Sequence, residues 1–259
     1  MARLRLMTYN VRSCTASSCG GAVDRVAAVI AAASPDVVAL QEVEAGAERS
    51  GFRDQTQELA ALLGWQAHFQ PAMRGQPGTS DGGAFGNALL TRLPLRLVAS
   101  GLLPQLQVGP LSGPKAVREP RGASWYAVVV EGGEVQVFVT HLGLTRRERL
   151  AQLDALLGPL WMGDPRCTGP RLLCGDLNCR PGSPEHRKLE GVLVDAALVS
   201  PPAAGSATFP ALRPLVRLDH VLVSPDLRVC RTEVPRRREL RHASDHLPLI
   251  VELEVPTAA

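Results

Sequence analysis

Residues 171–178 read Arg-Leu-Leu-Cys-Gly-Asp-Leu-Asn, and this stretch joins an apolar run to a polar cluster. A short apolar run such as 171–174 is typical of a buried strand. Gly175, Asp176 and Asn178 follow at the point where the strand is expected to end. Open α/β sheets place their ligands beyond strand ends. The stretch therefore predicts both a buried strand and a functional site at its end.

Five other polar clusters lie at the ends of strand-like segments in the same way. They are Thr8-Tyr9-Asn10, Leu40-Gln41-Glu42-Val43, Thr140-His141-Leu142, Leu218-Asp219-His220 and Ser244-Asp245-His246. A polar side chain next to a buried strand must find a partner or it costs stability. One shared site is therefore the simplest interpretation of all six clusters.

Helical and strand-like segments alternate along the chain, which predicts an α/β fold. Helices are expected over residues 23–30 and 54–63, and a third begins at Thr145, where Glu148 completes a capping box. Its apolar stripe, expected in the core, comprises Leu150, Leu153, Leu156, Leu157 and Leu160. Strands are expected over 4–11, 36–40, 66–71, 87–91, 95–103, 123–131, 135–141, 171–174, 218–223, 227–234 and 249–255.

The connections between these segments carry further predictions. Gly132-Gly133 indicates a tight hairpin. The loops at about residues 103–120 and 200–214 are longer than compact domains usually keep, so we expect them to decide specificity. No repeat, linker or shift in composition divides the chain, and a single domain over residues 1–259 is expected.

The composition excludes a disordered or collagen-like chain, because 45% of the 259 residues are hydrophobic and the 24 Gly and 21 Pro follow no period. The net charge is +3, and only Lys115 and Lys188 of the 28 basic residues are not Arg. An Arg excess suits phosphate binding, and a biased nucleotide composition explains it equally.

No apolar run approaches the roughly 20 residues of a membrane span, and no apolar leader segment follows Met1. A cytoplasmic protein is the expectation. The pairs Cys14/Cys19 and Cys174/Cys179 share one spacing, which leaves a zinc or redox site open. Buried, inert thiols are the simpler interpretation, since Cys174 lies in an apolar strand.

The polar clusters suit metal-assisted hydrolysis. Four carboxylates supply hard oxygen ligands, and histidines such as His141 and His246 can carry protons near neutral pH. The acids are Glu42, Asp176, Asp219 and Asp245. Zinc or a transition metal is possible with such a set. The excess of oxygen over nitrogen favours Mg²⁺ or Mn²⁺, and a hard cation beside acids and donors suits phosphoester hydrolysis.

The motifs together resemble, in order, those of the endonuclease/exonuclease/phosphatase superfamily, which has the deoxyribonuclease I-like fold. The resemblance covers nearly the whole chain and rests on Met7–Val11, Leu40–Val43, Gly86–Arg92, Thr140–Leu142, Gly175–Asn178, Leu218–Leu222 and Ser244–His246. It implies a four-layer α/β/β/α sandwich, two packed mixed sheets flanked by helices, with a metal-centred cleft at the sheet edge.

The resemblance also implies roles for single residues. Glu42 is the principal metal ligand, with Asn10 beside it and Asp245 completing the metal site or supporting it. Asp176 orients or deprotonates the attacking water, and Asn178 binds the phosphate oxyanion. His246, paired with Asp219, stabilises the transition state or acts as the base. His141 contacts phosphate or acts as general acid.

Two further residues are candidate substrate contacts. Asn87 lies in a segment like one found in many members, and it satisfies strand-end backbone groups equally well. Arg121 could clamp a phosphate, or form a salt bridge to Glu119 or Glu42. For His68, His186 and His220 we expect packing or wall positions. The Arg236–Arg238 run with Arg241 is either a solvated loop or a guide for a polyanion.

The sequence differs from the motifs of the abasic-site endonucleases, one branch of the superfamily, and this disfavours their activity. Abasic-site endonucleases usually carry Gln-Glu-Thr/Ser-Lys in the second motif and a mid-chain Tyr, where this sequence has Gln-Glu-Val-Glu and His141. We expect a metal-dependent hydrolase of a phosphodiester or phosphomonoester, acting as a monomer. Nucleic acid and a small or lipid-linked phosphoester are equally supported as substrates. The alternative is a scaffold protein that kept the fold and lost turnover.

Overall fold

The computed structural model describes residues 1–14, 22–75, 82–106, 119–203, 205–237, 240 and 242–256. Its helices are α1 Ala22–Ala33, α2 Gln55–Leu63, α3 Arg146–Leu157, α4 Pro184–Glu190 and α5 Ala196–Val199. Its strands are β1 Ala2–Asn10, β2 Val37–Ala45, β3 Gln66–Arg74, β4 Ala84–Thr91, β5 Leu95–Leu102, β6 Gly122–Val130, β7 Gly133–His141, β8 Arg171–Asp176, β9 Val194–Asp195, β10 Asp219–Val223, β11 Arg228–Glu233 and β12 Leu249–Val255.

The strands form two six-stranded sheets. The first has the order β11-β12-β1-β2-β4-β3 and the second the order β5-β6-β7-β8-β10-β9. Each sheet has one parallel pair near its centre, β1 with β2 and β7 with β8, and its other pairs are antiparallel. Both sheets are therefore mixed.

Successive side chains of the central strands face opposite sides of the sheet, and this divides the apolar core into layers. Tyr126 and Val137 face one side and belong to the larger apolar cluster, which also holds residues of β1, β2, β12 and α1. Their neighbours Trp125 and Phe138 face the other side, where they pack with Leu153 of α3. Two packed sheets flanked by helices confirm the predicted four-layer sandwich.

The start of α3 follows the predicted capping signal. The Thr145 side chain accepts a hydrogen bond from the backbone N–H of Glu148, at 3.4 Å. Leu153 and Leu156 are fully buried, but Leu160 is 76% exposed. The prediction that Leu160 belongs to the core stripe was wrong, because α3 ends at Leu157 while the apolar period in the sequence continues past it.

The hairpin between β6 and β7 is confirmed one residue earlier than predicted. Val130 pairs with Gly133, so the two-residue turn is Glu131-Gly132, and Gly132 has a φ of 82°. Of the two predicted long loops, residues 107–118 lie outside the described part of the chain. No helix within that part is long and apolar enough to cross a membrane.

Candidate active site

Three neighbouring strands of the second sheet place three predicted site residues side by side. His141 ends β7 opposite Asp176 of β8, and Asp176 pairs in turn with Asp219 at the start of β10. Since β7 and β8 are parallel while β10 is antiparallel, two strand ends and one strand start meet at one edge. The Nε2 atom of His141 lies 3.6 Å from Oδ2 of Asp176.

Gly175 allows β7 and β8 to approach each other closely at this edge. Its φ is +147°, and a Cβ atom there would lie 1.8 Å from the carbonyl oxygen of Thr140 on β7. Only glycine permits that approach without moving the strand. The Gly-Asp sequence therefore fixes the distance between β7 and the carboxylate of Asp176.

Glu42 reaches the same point from the first sheet. The register between β2 and β4 shifts between Leu40 and Val43, and Glu42 has a φ of 57°. A bulge of this kind turns a side chain out of the regular alternation. Glu42 is half-buried, and burial is the largest of the influences that raise the pKa of its carboxyl.

Asn10, at the end of β1, joins the carboxylates of the two sheets. Its Nδ2 atom donates to Oε1 of Glu42 at 2.9 Å and to Oδ2 of Asp176 at 3.0 Å. Its Oδ1 atom accepts from the backbone N–H of Arg12 at 3.0 Å. In this arrangement the amide nitrogen of Asn10, and not its oxygen, faces the two acids.

The segment Ser244-Asp245-His246 is fixed to the end of β1. The Ser244 hydroxyl donates to the carbonyl of Asn10 at 2.7 Å and accepts from the backbone N–H of His246 at 3.2 Å. Asp245 is partly exposed, and its Oδ2 atom lies 3.3 Å from the guanidinium of Arg12. Asp245 therefore stands at the open side of the cluster.

His246 is held between two acids. Its Nδ1 atom contacts Oδ2 of Asp219 at 2.8 Å, and its Nε2 atom lies 3.7 Å from Oδ2 of Asp176. Burial by itself lowers the pKa of His246, but the charge of Asp219 and its hydrogen bond outweigh this effect, and the pKa rises to about 9. Near neutral pH His246 is an imidazolium whose Nε2–H faces the site.

The pKa of Asp176 is raised as well, which for a carboxyl group favours the neutral form. Burial and the nearby charge of Asp219 raise the pKa of Asp176 to about 7, against the smaller opposing effects of His246 and of the hydrogen bond from Asn10. A carboxylate with a raised pKa is suited to accept a proton from water.

His141 lies between two hydrogen-bond donors. Its Nδ1 atom is 3.2 Å from the Arg121 guanidinium, and its Nε2 atom is 3.0 Å from Nδ2 of Asn178. Neither neighbour stabilises an imidazolium; burial first, and then the charge of Arg121, hold the pKa of His141 well below its usual value. His141 is therefore neutral. Because a guanidinium only donates, Nδ1 of His141 accepts from Arg121, and the neutral ring then carries its proton on Nε2. This proton cannot be shared with the amide N–H of Asn178 and faces Oδ2 of Asp176, 3.6 Å away.

The remaining predicted residues lie beside His141. Arg121 is buried, and its second terminal nitrogen is 3.2 Å from Glu119, so one of the predicted salt bridges forms. Asn178 has a φ of 50°, and its Nδ2 atom also donates to Leu142 O at 2.9 Å. Asn87 is buried and donates to Gly122 O at 3.1 Å, which links the two sheets. This bond matches the interpretation of Asn87 as a residue that satisfies backbone.

The donor set fits a hard divalent cation. Oxygens of Glu42 and Asp176 converge on one amide nitrogen of Asn10, and Oδ1 of Asp219 is buried without a hydrogen-bond partner. Carboxylate oxygens of Asp176 and Asp219 lie within 4.8 Å of each other. Acids placed this close repel each other unless a cation or a proton lies between them.

A second buried cluster was not predicted from the sequence. The carboxylate of Asp195 accepts from both terminal nitrogens of Arg217, at 2.7 Å each, and from Nε2 of His186 at 2.5 Å. His220 lies beside it, with Nδ1 3.5 Å from Asp195, and donates through Nε2 to Cys179 O at 2.9 Å. Since Arg217 neutralises Asp195, the cluster is an ion pair network rather than a metal site.

The cysteines of the described residues are reduced and mostly buried. Cys14, Cys167, Cys174 and Cys179 are buried and Cys230 is exposed. Burial raises the pKa of the Cys179 thiol to about 11, which is the behaviour of an inert side chain. Cys19, and Arg238 and Arg241 of the predicted basic run, lie outside the described residues.

Comparison with known proteins agrees with the fold and with the order of the motifs. The model of the endonuclease/exonuclease/phosphatase family matches residues 7–246. The uncharacterized protein YbhP of Escherichia coli strain K12 is 31% identical over 139 residues, which are 53% of this chain and 54% of YbhP. The matched part of this chain thus spans about half the length of that curated relative.

Solved structures extend the likeness to the whole chain. A protein described as endonuclease/exonuclease/phosphatase from Beutenbergia cavernae DSM 12333 superposes with a TM-score of 0.79 at 26% identity, covering 98% of this chain and 72% of that one. The mannosyl-6-phosphatase Bt3783 of Bacteroides thetaiotaomicron VPI-5482 superposes with a TM-score of 0.73 at 21% identity, covering 97% and 99%. The second likeness concerns the fold alone.

Proposed function

The chain belongs to the endonuclease/exonuclease/phosphatase family, and from that premise we propose that it is a divalent-metal-dependent phosphoesterase that hydrolyses a phosphodiester or phosphomonoester by in-line attack of water. The observation that supports this most is the convergence of side chains on one carboxylate. Asn10 bonds both Glu42 and Asp176, and His141 and His246 lie 3.6 and 3.7 Å from the same oxygen of Asp176.

Metal binding is assigned to two carboxylates that lie near the end of β1. Glu42 and Asp245 are the proposed ligands, and Asn10 holds Glu42 and Asp176 in place through its amide nitrogen. A bound Mg²⁺ or Mn²⁺ would neutralise phosphate charge and stabilise the leaving oxygen. Asn10 becomes a ligand itself only if its amide turns to present Oδ1.

The chain's own groups have complementary tasks in this proposal. Asp176 accepts the proton of the attacking water, since burial and Asp219 make it a stronger base than an exposed carboxylate. His246, held by Asp219, places its Nε2–H against the developing negative charge. His141 and Asn178 donate hydrogen bonds to phosphate oxygens. Because His141 is neutral, a phosphate contact suits it better than the role of general acid.

Substrate binding is assigned to Arg121 next to these donors. Its Nε atom is buried without a hydrogen-bond partner, which leaves one donor available to a phosphate oxygen. Its contact with Nδ1 of His141 gives it a second effect, since it orients the imidazole. The nearby Asn87 is occupied by Gly122, so a structural role is proposed for it.

The test is hydrolysis of bis-p-nitrophenyl phosphate by the purified protein with Mg²⁺ or Mn²⁺, with EDTA and an Asp176→Ala variant as controls. We expect turnover that both controls abolish. Retained activity in EDTA would contradict the metal requirement. Turnover of neither this ester nor p-nitrophenyl phosphate, by protein that still binds Mn²⁺, would favour a scaffold role.

A further inference from the structure

A hairpin formed by residues 209–216 carries apolar side chains next to the candidate active site. The backbone N–H of Phe209 donates to Val216 O at 2.9 Å, and the N–H of Val216 donates to Phe209 O at 3.0 Å. The tip beyond this pair exposes Leu212 and Leu215, each at 68%, and Arg213 between them is exposed as well. Both leucine side chains of this short turn are therefore exposed to solvent.

The hairpin is attached to both sides of His246. The N–H of Ala211 donates to Asp245 O at 2.6 Å, and the N–H of Leu247 donates to Thr208 O at 2.8 Å. The ring of Phe209 lies 4.8 Å from the His246 ring, centroid to centroid. These contacts fix the position of the exposed tip relative to the proposed catalytic imidazolium.

A second segment with exposed leucine and arginine follows His141. Leu144 follows His141 by three residues and is 72% exposed, and Arg146 and Arg147, just after it, are exposed too. His141 and His246 approach the same oxygen of Asp176, at 3.6 and 3.7 Å. Exposed leucine and arginine thus accompany both of the histidines that approach Asp176.

Single exposed leucines are ordinary. Here, however, exposed leucines lie beside exposed arginines in both segments next to the site histidines. Leucine offers no ring on which a base can stack, which is what a single-stranded nucleic acid requires. Leucine beside arginine instead suits a lipid surface, where apolar side chains enter the acyl boundary and cations attract anionic headgroups. We propose that Leu212, Leu215 and Leu144 dock the site on an anionic lipid surface, and that its substrate is a lipid-linked phosphoester; this rests on the proposed function.

The test is co-sedimentation with phosphatidylcholine vesicles that contain or lack phosphatidylserine. We expect the protein to sediment with the anionic vesicles, and a Leu212→Ser/Leu215→Ser variant to bind them at least about tenfold more weakly, since each leucine loses its apolar burial. Leu160→Ser is the matched control, because Leu160 is 76% exposed but follows α3 at the opposite end of the second sheet. It should bind like the wild type.

Binding and turnover are measured separately, so the two proposals can fail separately. Both leucine variants should hydrolyse bis-p-nitrophenyl phosphate at the wild-type rate. Failure of the wild type to bind anionic vesicles, or equal binding by all three proteins, would overturn the lipid proposal and leave the hydrolase intact. Loss of binding to a fluorescent single-stranded oligonucleotide in the double variant would also overturn it, in favour of nucleic acid. Vesicle binding without hydrolysis of any ester would contradict the proposed function and the lipid substrate, and would leave only the docking surface.

Discussion

Replacing Arg217 with Met removes the cation from the buried network around Asp195. The substitution deletes two charge-assisted hydrogen bonds of 2.7 Å. It leaves the Asp195 carboxylate with His186, the N–H of Ala197 and the more distant His220, at 3.5 Å. Breaking a buried ion pair by removing one partner costs about 3–5 kcal/mol. For a chain of this size that corresponds to a fall in melting temperature on the order of 10 °C.

Urea unfolding followed by far-ultraviolet circular dichroism measures this cost. Arg96→Met is the matched control, since Arg96 pairs with Glu134 at 3.3 Å while both side chains are exposed, and such pairs contribute little. An Asp195→Asn/Arg217→Met variant should lose less than the sum of the two single changes, because it leaves no buried charge unpaired. A midpoint for Arg217→Met equal to that of Arg96→Met would show that Arg217 does not stabilise the buried Asp195 carboxylate.

Two further changes test the site itself. Gly175→Ala should give little folded protein and no turnover of bis-p-nitrophenyl phosphate, because its Cβ atom would lie 1.8 Å from Thr140 O; wild-type expression and activity would disprove the close approach. Because the pKa of His246 is raised by Asp219 to about 9, the ion pair stabilises the folded protein fully below about pH 6.5 and this contribution is lost as pH rises through about 9. The stability difference between wild type and His246→Asn should shrink over that range, and a pH-independent difference would contradict the ion pair.

The strands and the shared edge could be predicted because their signals are local. The apolar run before Asp176, and the polar residues that end it, need no knowledge of the rest of the chain. Asn10, Glu42 and Asp176 were expected at one site, and the structure joins them through the Asn10 amide. Local patterns of this type predict the structure because the polar groups at the end of a buried strand must find partners in the fold.

The buried network around Asp195 could not be predicted, because only the fold brings its residues together. Arg217 and Asp195 lie 22 residues apart in the chain, and His186 reads as a polar residue on a short helix. The amide orientation of Asn10 depends on the backbone of Arg12, and the direction of Glu42 depends on a bulge, so neither has a sequence signal. The placement of Leu160 failed for a related reason, since the helical period runs past the end of α3.

Metal-dependent hydrolysis with Glu42 as a metal ligand is tested by the Glu42→Gln variant. The measurement is its rate of bis-p-nitrophenyl phosphate hydrolysis as a function of Mn²⁺ concentration. Glu131→Gln is the control, because Glu131 is an exposed acid in the turn between β6 and β7, at the end of the sheet away from the site. We predict that Glu42→Gln needs far more Mn²⁺ or shows no turnover, while Glu131→Gln follows the wild-type curve. Superimposable curves for all three proteins would contradict a metal-dependent site built on Glu42.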